Sequence, residues 1–404
     1  MRTLRFCSDR RWLSWVLQDV GNSAFATTVM AVMYPLFYRE VLGRGGPNEL
    51  VLAMWGYGTA VGMLLTALMA PPLGAWADLR GLRKRLFIAF SLVGVASSIA
   101  MGFLGEGQWM LGLGVFVMGS LGFSFNNVFY DSFLPHLARE EDRAYLSSAG
   151  YAMGYLGGGV LLLVNAIMAA RMGEAGFRLS FVSVGLWWAV LLVPFALWVG
   201  EPPVEPHGGL GPWERPLRTL RELPRTPNVM WFLFAFWLYN DGIGTIMRMG
   251  VLYGSTLGID QRTLLFSLVA TQFVGIPLTM IWAKVAEAFG DKATLMVTLG
   301  VYLAICLMVP FVRTPGHFWA MALSIGSVQG GAQALSRSLF SRIVPKERSA
   351  ELFGFYDLSS KFAGVLGPMA FGVISQLTGS FAVGGPLLAG FFLLGMAFLS
   401  RVRA

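Results

Sequence analysis

The sequence predicts an all-α polytopic membrane protein, with twelve transmembrane helices arranged as two pseudo-symmetric six-helix bundles. Three observations predict it. Of 404 residues, 55% are hydrophobic and only 13% are charged, whereas an average soluble domain carries about 25% charged residues. Apolar runs of about 20 residues recur along the whole length, each long enough to cross a hydrocarbon core of about 30 Å as a helix. The second half of the chain also repeats landmarks of the first at a nearly constant offset.

In chain order, apolar runs between charged or Gly/Pro-rich breaks predict spans 1 to 6 at 12–38, 50–73, 86–104, 109–134, 144–170 and 179–199. Spans 7 to 12 follow at 228–253, 263–283, 293–312, 317–341, 349–375 and 382–400. Between the sets lies 201–227, a proline-rich stretch with Arg215, Arg218, Arg221 and Arg225. It is the only long linker, so the chain divides into an N-terminal bundle at 1–200, a cytoplasmic linker at 201–227 and a C-terminal bundle at 228–404. With the N-terminus inside, the inner loops and tails hold 21 of the 30 Lys and Arg residues, the outer loops six and the spans three. The positive-inside rule then puts both termini on the cytoplasmic side of a cell (inner) membrane. The net charge of +8 is therefore a topogenic signal, with some attraction to anionic lipid headgroups, and implies no nucleic acid. Arg2, Arg5, Arg10 and Arg11 precede an apolar stretch as in a secretory signal, but span 1 contains Asp19 and Asn22 and runs too long for a signal core.

The repeat is read from paired landmarks. Pro135 and Pro345, Gly154 and Gly364, and Gly157 and Gly367 are each 210 apart; Asp78 and Glu287, like Gly81 and Gly290, are 209 apart. Trp15 and Asp19 match Trp237 and Asp241 at 222, which implies a longer loop after the first helix of the first half. Charges follow a phase of three helices. Spans 3, 6, 9 and 12 contain no Asp, Glu, Lys or Arg, whereas spans 1, 4, 7 and 10 hold Asp19, Asp131, Asp241, Arg248 and Arg337. Ionisable groups are too costly to face lipid, so the first set is peripheral and the second faces a cavity.

Catalytic chemistry is not indicated. Cys7 and Cys306 suggest neither a disulfide framework nor a thiolate metal site, and His136, His207 and His317 have no ligand spacing. No phosphate-binding glycine loop or nucleophile elbow is present, so the chain reads as no enzyme, with no cofactor, no metal and no ATP-driven step of its own. The expected partners are a small-molecule substrate, the lipid bilayer and protons, with the monomer as the working unit. A non-transporting receptor or assembly subunit is the rival class, and within transport the alternative is efflux of amphipathic drugs or lipids.

Gly74-Ala-Trp-Ala-Asp78-Leu-Arg80-Gly81-Leu-Arg83 after span 2, with cavity helices at 1, 4, 7 and 10, resembles the inner-loop signature of the major facilitator superfamily. Within that superfamily three stretches look like the vacuole-effluxer family, named for fungal vacuolar amino-acid exporters and common in bacteria. They are Asp19-Val-Gly-Asn22-Ser-Ala-Phe25, Leu238-Tyr-Asn240-Asp241-Gly242, and Gln333-Ala-Leu-Ser-Arg337 continuing through Gly354-Phe-Tyr356-Asp357 to Lys361-Phe-Ala. The resemblance implies the major facilitator fold, alternating access, and export of an amino acid or related metabolite. Gln18 and Val20 stand where the family leads one to expect aromatic residues beside the aspartate.

Several residues are candidate substrate contacts. Asp357 and Lys361 lie one helical turn apart on span 11, Lys361 near mid-membrane, while Gln329, Gln333 and Arg337 make a polar stripe on span 10. Arg337 should reach the depth of Asp357 and hold it through its planar fork. Two cations around one carboxylate would leave Lys361 for an anionic group of the substrate. Asn22 and Asn240 accompany the carboxylates of spans 1 and 7, and Asn126, Asn127 and Tyr130 lie on span 4, with Asp131 too near the cytoplasmic mouth to be central. Asp19 and Asp241 have no cation within a turn on their own helices, which suits a coupling proton better than sodium. Asp78 should act as a conformational latch with Gly74, Gly81, Arg83 and the repeat's Glu287, its carboxylate meeting loop arginines and the N-terminus of span 11. Gly150, Gly154, Gly157, Gly158 and Gly159 on span 5 should allow close helix packing.

Overall fold

The computed structural model describes residues 9–204, 211–364, 366–379 and 381–403, without the side chains at 251, 252, 261, 262, 265 and 381. Arg2, Arg5, Cys7, His207 and the middle of the linker lie outside the described residues. The described chain is helical throughout, with spans 1 to 6 at Arg10–Leu42, Asn48–Arg80, Arg83–Met101, Trp109–Leu137, Glu140–Met172 and Glu174–Trp198. Spans 7 to 10 are Pro227–Thr256, Gln261–Phe289, Asp291–Met308 and Pro315–Ile343, and span 12 is Gly384–Ser400. Among the described residues nine helices are long and apolar enough to cross a membrane by length and composition. Spans 7 and 10 are as long but carry the polar stripes of Asn240 and Gln333, and span 12 is short.

Most helices run past the apolar stretch that marks them, because polar end residues continue the helix into the headgroup zone. Span 5 begins with Glu140, Glu141 and Asp142 in its first turn, where negative charge meets the positive end of the helix dipole. Span 1 is less regular than its apolar run suggests. Phe25–Met33 and Tyr38–Leu42 are wide π-type turns, which rotate the face shown to the neighbours. Span 11 crosses as Lys346–Thr378, with its helix interrupted by a turn at Ala363 and Gly364 between Ser349–Phe362 and Leu366–Thr378, an interruption the apolar run does not announce.

Twelve crossings leave Asp9, the linker and Arg403 on one side, called here the terminal face. Large apolar side chains stand outward on the charge-free spans, such as Leu92 on span 3, Val190 on span 6, Val297 on span 9 and Leu393 on span 12, all more than half exposed in the bare protein. Spans 1 and 10 are buried along most of their inner turns. The two bundles meet where span 2 packs on the first piece of span 11 and span 5 packs on spans 8 and 10. The linker contributes a short helix, Glu214–Glu222, which touches the end of span 2.

Glycine sets the closest of these approaches. A Cβ at Gly74 would collide with the Ala350 carbonyl, and one at Gly354 would come within 2.6 Å of the Ala70 carbonyl oxygen, so spans 2 and 11 meet backbone to backbone. On span 5, Gly150 and Gly154 make room for Asp19, and Gly157 and Gly158 pack on span 1. Gly159 has open space instead and contributes nothing to packing.

Candidate functional site

A cavity of about 350 Å³ lies between the bundles and is bordered by Asp19, Asn22, Asn127, Tyr130, Gln333 and Lys361. Its charges sort into two groups. In the first, Arg337 crosses from span 10 to the other bundle: Nη1 donates to Asp131 Oδ1 at 2.9 Å, Nε to Ser147 Oγ at 2.9 Å and Nη2 to the Ser147 carbonyl at 2.8 Å. Asp19 Oδ2 stands 3.6 Å from Nη2 and accepts from the Tyr130 hydroxyl at 3.1 Å. The guanidinium also lies over Trp15, Tyr130 and Tyr151, its carbon 4.7, 5.3 and 4.4 Å from their ring centroids, a desolvated setting in which cation–π attraction is strong.

This placement overturns two expectations and adds a partner to a third residue. Arg337 does not hold Asp357; it holds Asp131 and Asp19 across the bundle interface. Asp131 borders the cavity and does not sit out at its mouth. Asp19 lacks a cation on its own helix but has one from span 10. Depth does not separate the acids, since Asp19, Asp357 and Arg337 lie nine, eight and six residues from the terminal ends of spans 1, 11 and 10, or roughly 14, 12 and 9 Å at 1.5 Å per residue. The packing of span 5 on both span 1 and span 10 decides the partner.

The second group is Lys361, whose Nζ lies 3.6 Å from Asp357 Oδ1. Asp357 Oδ2 is buried and has no hydrogen-bond partner. Lys361 also borders an apolar recess of about 240 Å³ that runs past Met30, Trp55, Met63 and Phe116 toward the other face. Counting both groups, the cavity wall carries three carboxylates and two cations. The expected surplus of positive charge is therefore absent, because Arg337 brings two acids of its own.

The amides divide by role. Asn22 donates to Asn126 Oδ1 at 3.1 Å and Asn127 Oδ1 at 2.7 Å, and Asn126 donates to Ser91 Oγ at 2.6 Å. Asn126 is wholly buried and ties spans 1, 3 and 4 together away from the cavity, where Asn22 and Asn127 remain. Asn240 accepts from Gln333 Nε2 at 2.9 Å and sits behind it. Asp241 accepts from the Gly367 N–H at 2.9 Å, so it caps the second piece of span 11 and stands away from the cavity border. Tyr151, Ser147 and Tyr155 escaped the sequence reading; the spacing of Ser147, Tyr151 and Tyr155 by four on a helix is the signal that could have found them.

At the terminal face, Asp78 accepts from Glu351 N–H at 2.9 Å and Ala350 N–H at 3.3 Å, at the first turn of span 11. Arg83 completes the contact, with Nε 2.8 Å and Nη2 2.6 Å from Asp78 Oδ1, and reaches the Lys346 carbonyl at 3.1 Å and His136. Gly81 ends span 2 with φ 64°, the left-handed turn that brings Arg83 back to Asp78. Glu351 itself is buried, with Arg215 Nε of the linker helix at 2.9 Å, Arg348 at 3.1 Å and Thr219 against the same carboxylate. In the other bundle Glu287, which ends span 8 at the same register, is exposed and is not the buried acid. That acid is Asp291, buried at the start of span 9, which accepts from Ser338 Oγ at 2.6 Å and pairs with Arg342 at 3.0 Å. Asp78, Arg83, Glu351 and Arg337 all bridge the bundles on the terminal side, so the structure is closed there.

Comparison with known proteins agrees with this architecture. A family model described as "Vacuole effluxer Atg22 like" matches residues 50–404. A Bacillus subtilis (strain 168) protein described as an uncharacterized MFS-type transporter, YxiO, is 35% identical over 401 residues, covering 96% of this chain and 94% of its own. Autophagy-related protein 22 of Coccidioides immitis is 23% identical over 431 residues, covering 83% and 71%. Among solved structures, the human organic anion transporter MFSD10 has a TM-score of 0.78 at 15% identity, covering 96% of this chain and 99% of its own. The proton:xylose symporter XylE has a TM-score of 0.78 at 13% identity, covering 98% and 95%. At such identities the structures show the shared fold alone.

Proposed function

Because the chain belongs to the Atg22-like vacuole effluxer family of major facilitator transporters, we propose that it carries an amino-acid-like zwitterion by alternating access. It is a multi-pass membrane transporter and not an enzyme. The observation that carries the substrate class is the pairing of Lys361 with Asp357, whose second oxygen is buried and unpartnered. A lone carboxylate oxygen in low dielectric is costly until a donor meets it. An ammonium group meets that need while the substrate carboxylate takes Lys361, so a zwitterion satisfies both ends and a plain anion only one. The apolar recess beside Lys361 gives space for an uncharged side chain.

The surplus carboxylate of the cavity is the natural place for a coupling proton, and Asp19 is favoured over Asp241, which is occupied in capping span 11. With the terminal face cytoplasmic, the closed latch makes this the outward-facing state, and movement of one bundle against the other would expose the cavity inward. A cysteine at Leu217 in the linker should be protected from an impermeant reagent in intact cells; efficient labelling from outside would overturn the orientation.

Uptake of radiolabelled amino acids into proteoliposomes under an imposed pH gradient tests the function directly. Lys361→Gln should weaken binding of the transported zwitterion at least tenfold while leaving the unfolding temperature within a few degrees, because Lys361 is partly exposed to the cavity. Wild-type affinity in a well-folded Lys361→Gln protein would remove Lys361 from the site.

A further inference from the structure

The linker helix Glu214–Glu222 has three faces. Arg215 and Thr219 turn inward to Glu351. Leu217, Leu220 and Leu223, spaced three apart, make an apolar stripe, with Leu217 59% and Leu220 48% exposed. Arg218, Arg221 and Arg225 run beside it and are exposed. A basic stripe next to an apolar one is the pattern of a helix lying in the plane of a membrane interface.

Below the leucines a groove of about 320 Å³ opens between spans 7 and 11, walled by Leu220, Leu223, Leu233, Phe234, Phe355 and Leu358. Ser359 in its wall donates its hydroxyl to the Phe355 carbonyl at 3.0 Å, so the lining is apolar apart from the indole N–H of Trp237, which has no hydrogen-bond partner among the described residues. The groove descends span 7 as far as Trp237, ten residues from the start of the helix at Pro227, or about 15 Å. That is one leaflet's share of a hydrocarbon core of about 30 Å. Arg218 pairs with Glu222 at 2.8 Å, whereas Arg221 and Arg225, exposed and within two residues of Leu220 and Leu223 of the groove wall, form no ion pair among the described residues.

We propose that this groove and the arginines at its mouth are a seat for one acidic phospholipid of the leaflet on the terminal face. An acyl chain lies between spans 7 and 11, and the headgroup phosphate meets Arg221 and Arg225. Depth selects a single chain from one leaflet, and two exposed guanidinium groups with no ion pair among the described residues select a negative headgroup over a zwitterionic one. The third face gives the site a consequence. A lipid that holds the linker helix against the membrane also holds Arg215 and Thr219 on Glu351, and so favours the state closed at the terminal face. This consequence rests on the latch reading of Glu351; the binding does not.

The test uses the purified full-length chain in neutral detergent, with bound lipid read by native mass spectrometry and unfolding followed thermally. Phosphatidylglycerol should bind at least tenfold more tightly than phosphatidylcholine and raise the unfolding temperature, and inorganic phosphate alone should do neither. Arg221→Gln with Arg225→Gln should cut that preference to under threefold, while the double lysine variant keeps most of it. Ser359→Trp, which fills the groove, should lower retention of both lipids. Equal affinity for the two lipids, an unchanged preference in the double glutamine variant, unchanged retention in Ser359→Trp, or full stabilisation by phosphate alone would each overturn the seat. Interbundle distances in phosphatidylglycerol and phosphatidylcholine nanodiscs then read the conformational consequence separately.

Discussion

Arg337→Gln is expected to destabilise the protein by roughly 3–5 kcal/mol, the cost of removing one partner of a buried ion pair, and to abolish transport. Arg337 is 2% exposed and its guanidinium makes three hydrogen bonds to the other bundle. Without it, Asp19 and Asp131 face each other with no cation between them, and the aromatic faces of Trp15, Tyr130 and Tyr151 lose the charge they surround. The damage should therefore be electrostatic more than steric. Asp131→Asn added to Arg337→Gln should recover part of the stability by removing one of the two stranded acids. Arg337→Lys should recover charge but not the fork that spans Asp131 and Ser147, so stability should return in part and transport should stay low. Thermal unfolding and uptake measured on the same preparations check this series. A wild-type unfolding temperature for Arg337→Gln would show that the triad is not held as described.

The sequence made the number and order of the helices legible, because a membrane span is a local property of about 20 consecutive residues. Asp78 and its approach to span 11 were legible for a related reason: glycine, acid and arginine sit in one short motif, and only the receiving helix is distant. The partner of Arg337 was not. Asp357 is on the next helix of the same bundle, and spacing along two adjacent helices favours it; Asp19 and Asp131 belong to the other bundle, and their proximity depends on the conformation in which the halves meet. Glu351 was hidden by its partner. Arg215 and Thr219 lie in a proline-rich polar linker that reads as solvated, and the helix that turns them inward gains its order from docking. The break in span 11 was equally silent, since an apolar run records hydrophobicity and not continuity of the backbone ladder, and the capping acid, Asp241, comes from span 7.

Asp78→Asn should open the terminal face. In the closed state the Asp78 carboxylate receives two backbone N–H groups from the first turn of span 11 and two guanidinium nitrogens of Arg83, all in a setting where Asp78 and Arg83 are each 3% exposed. A carboxylate has acceptor capacity for four such donors, whereas an asparagine turns one side of the group into a donor that points at donors. The substitution therefore costs the closed state an ion pair and the charge at a helix N-terminus, a term of about 0.3–2 kcal/mol by itself, and leaves Arg83 buried against weaker partners. A state open at the terminal face must part these groups in the wild type already, so the substitution costs it little. If the difference is about 3 kcal/mol, the ratio of closed to open molecules falls by a factor of the order of 100. Distances between spin labels on the terminal ends of the two bundles should then shift from a short, single population to a predominantly long one, and uptake should fall because the cycle no longer returns to the outward state. Gly354→Leu provides a second route to the same end without touching a charge. Its side chain would be driven into the Ala70 and Pro71 backbone, forcing spans 2 and 11 apart. Both variants should give the long distance, whereas Asp78→Glu, which keeps the negative charge, should stay nearer the short one than Asp78→Asn does. An unchanged distance distribution in Asp78→Asn would mean that the contact is made in this state without deciding its population.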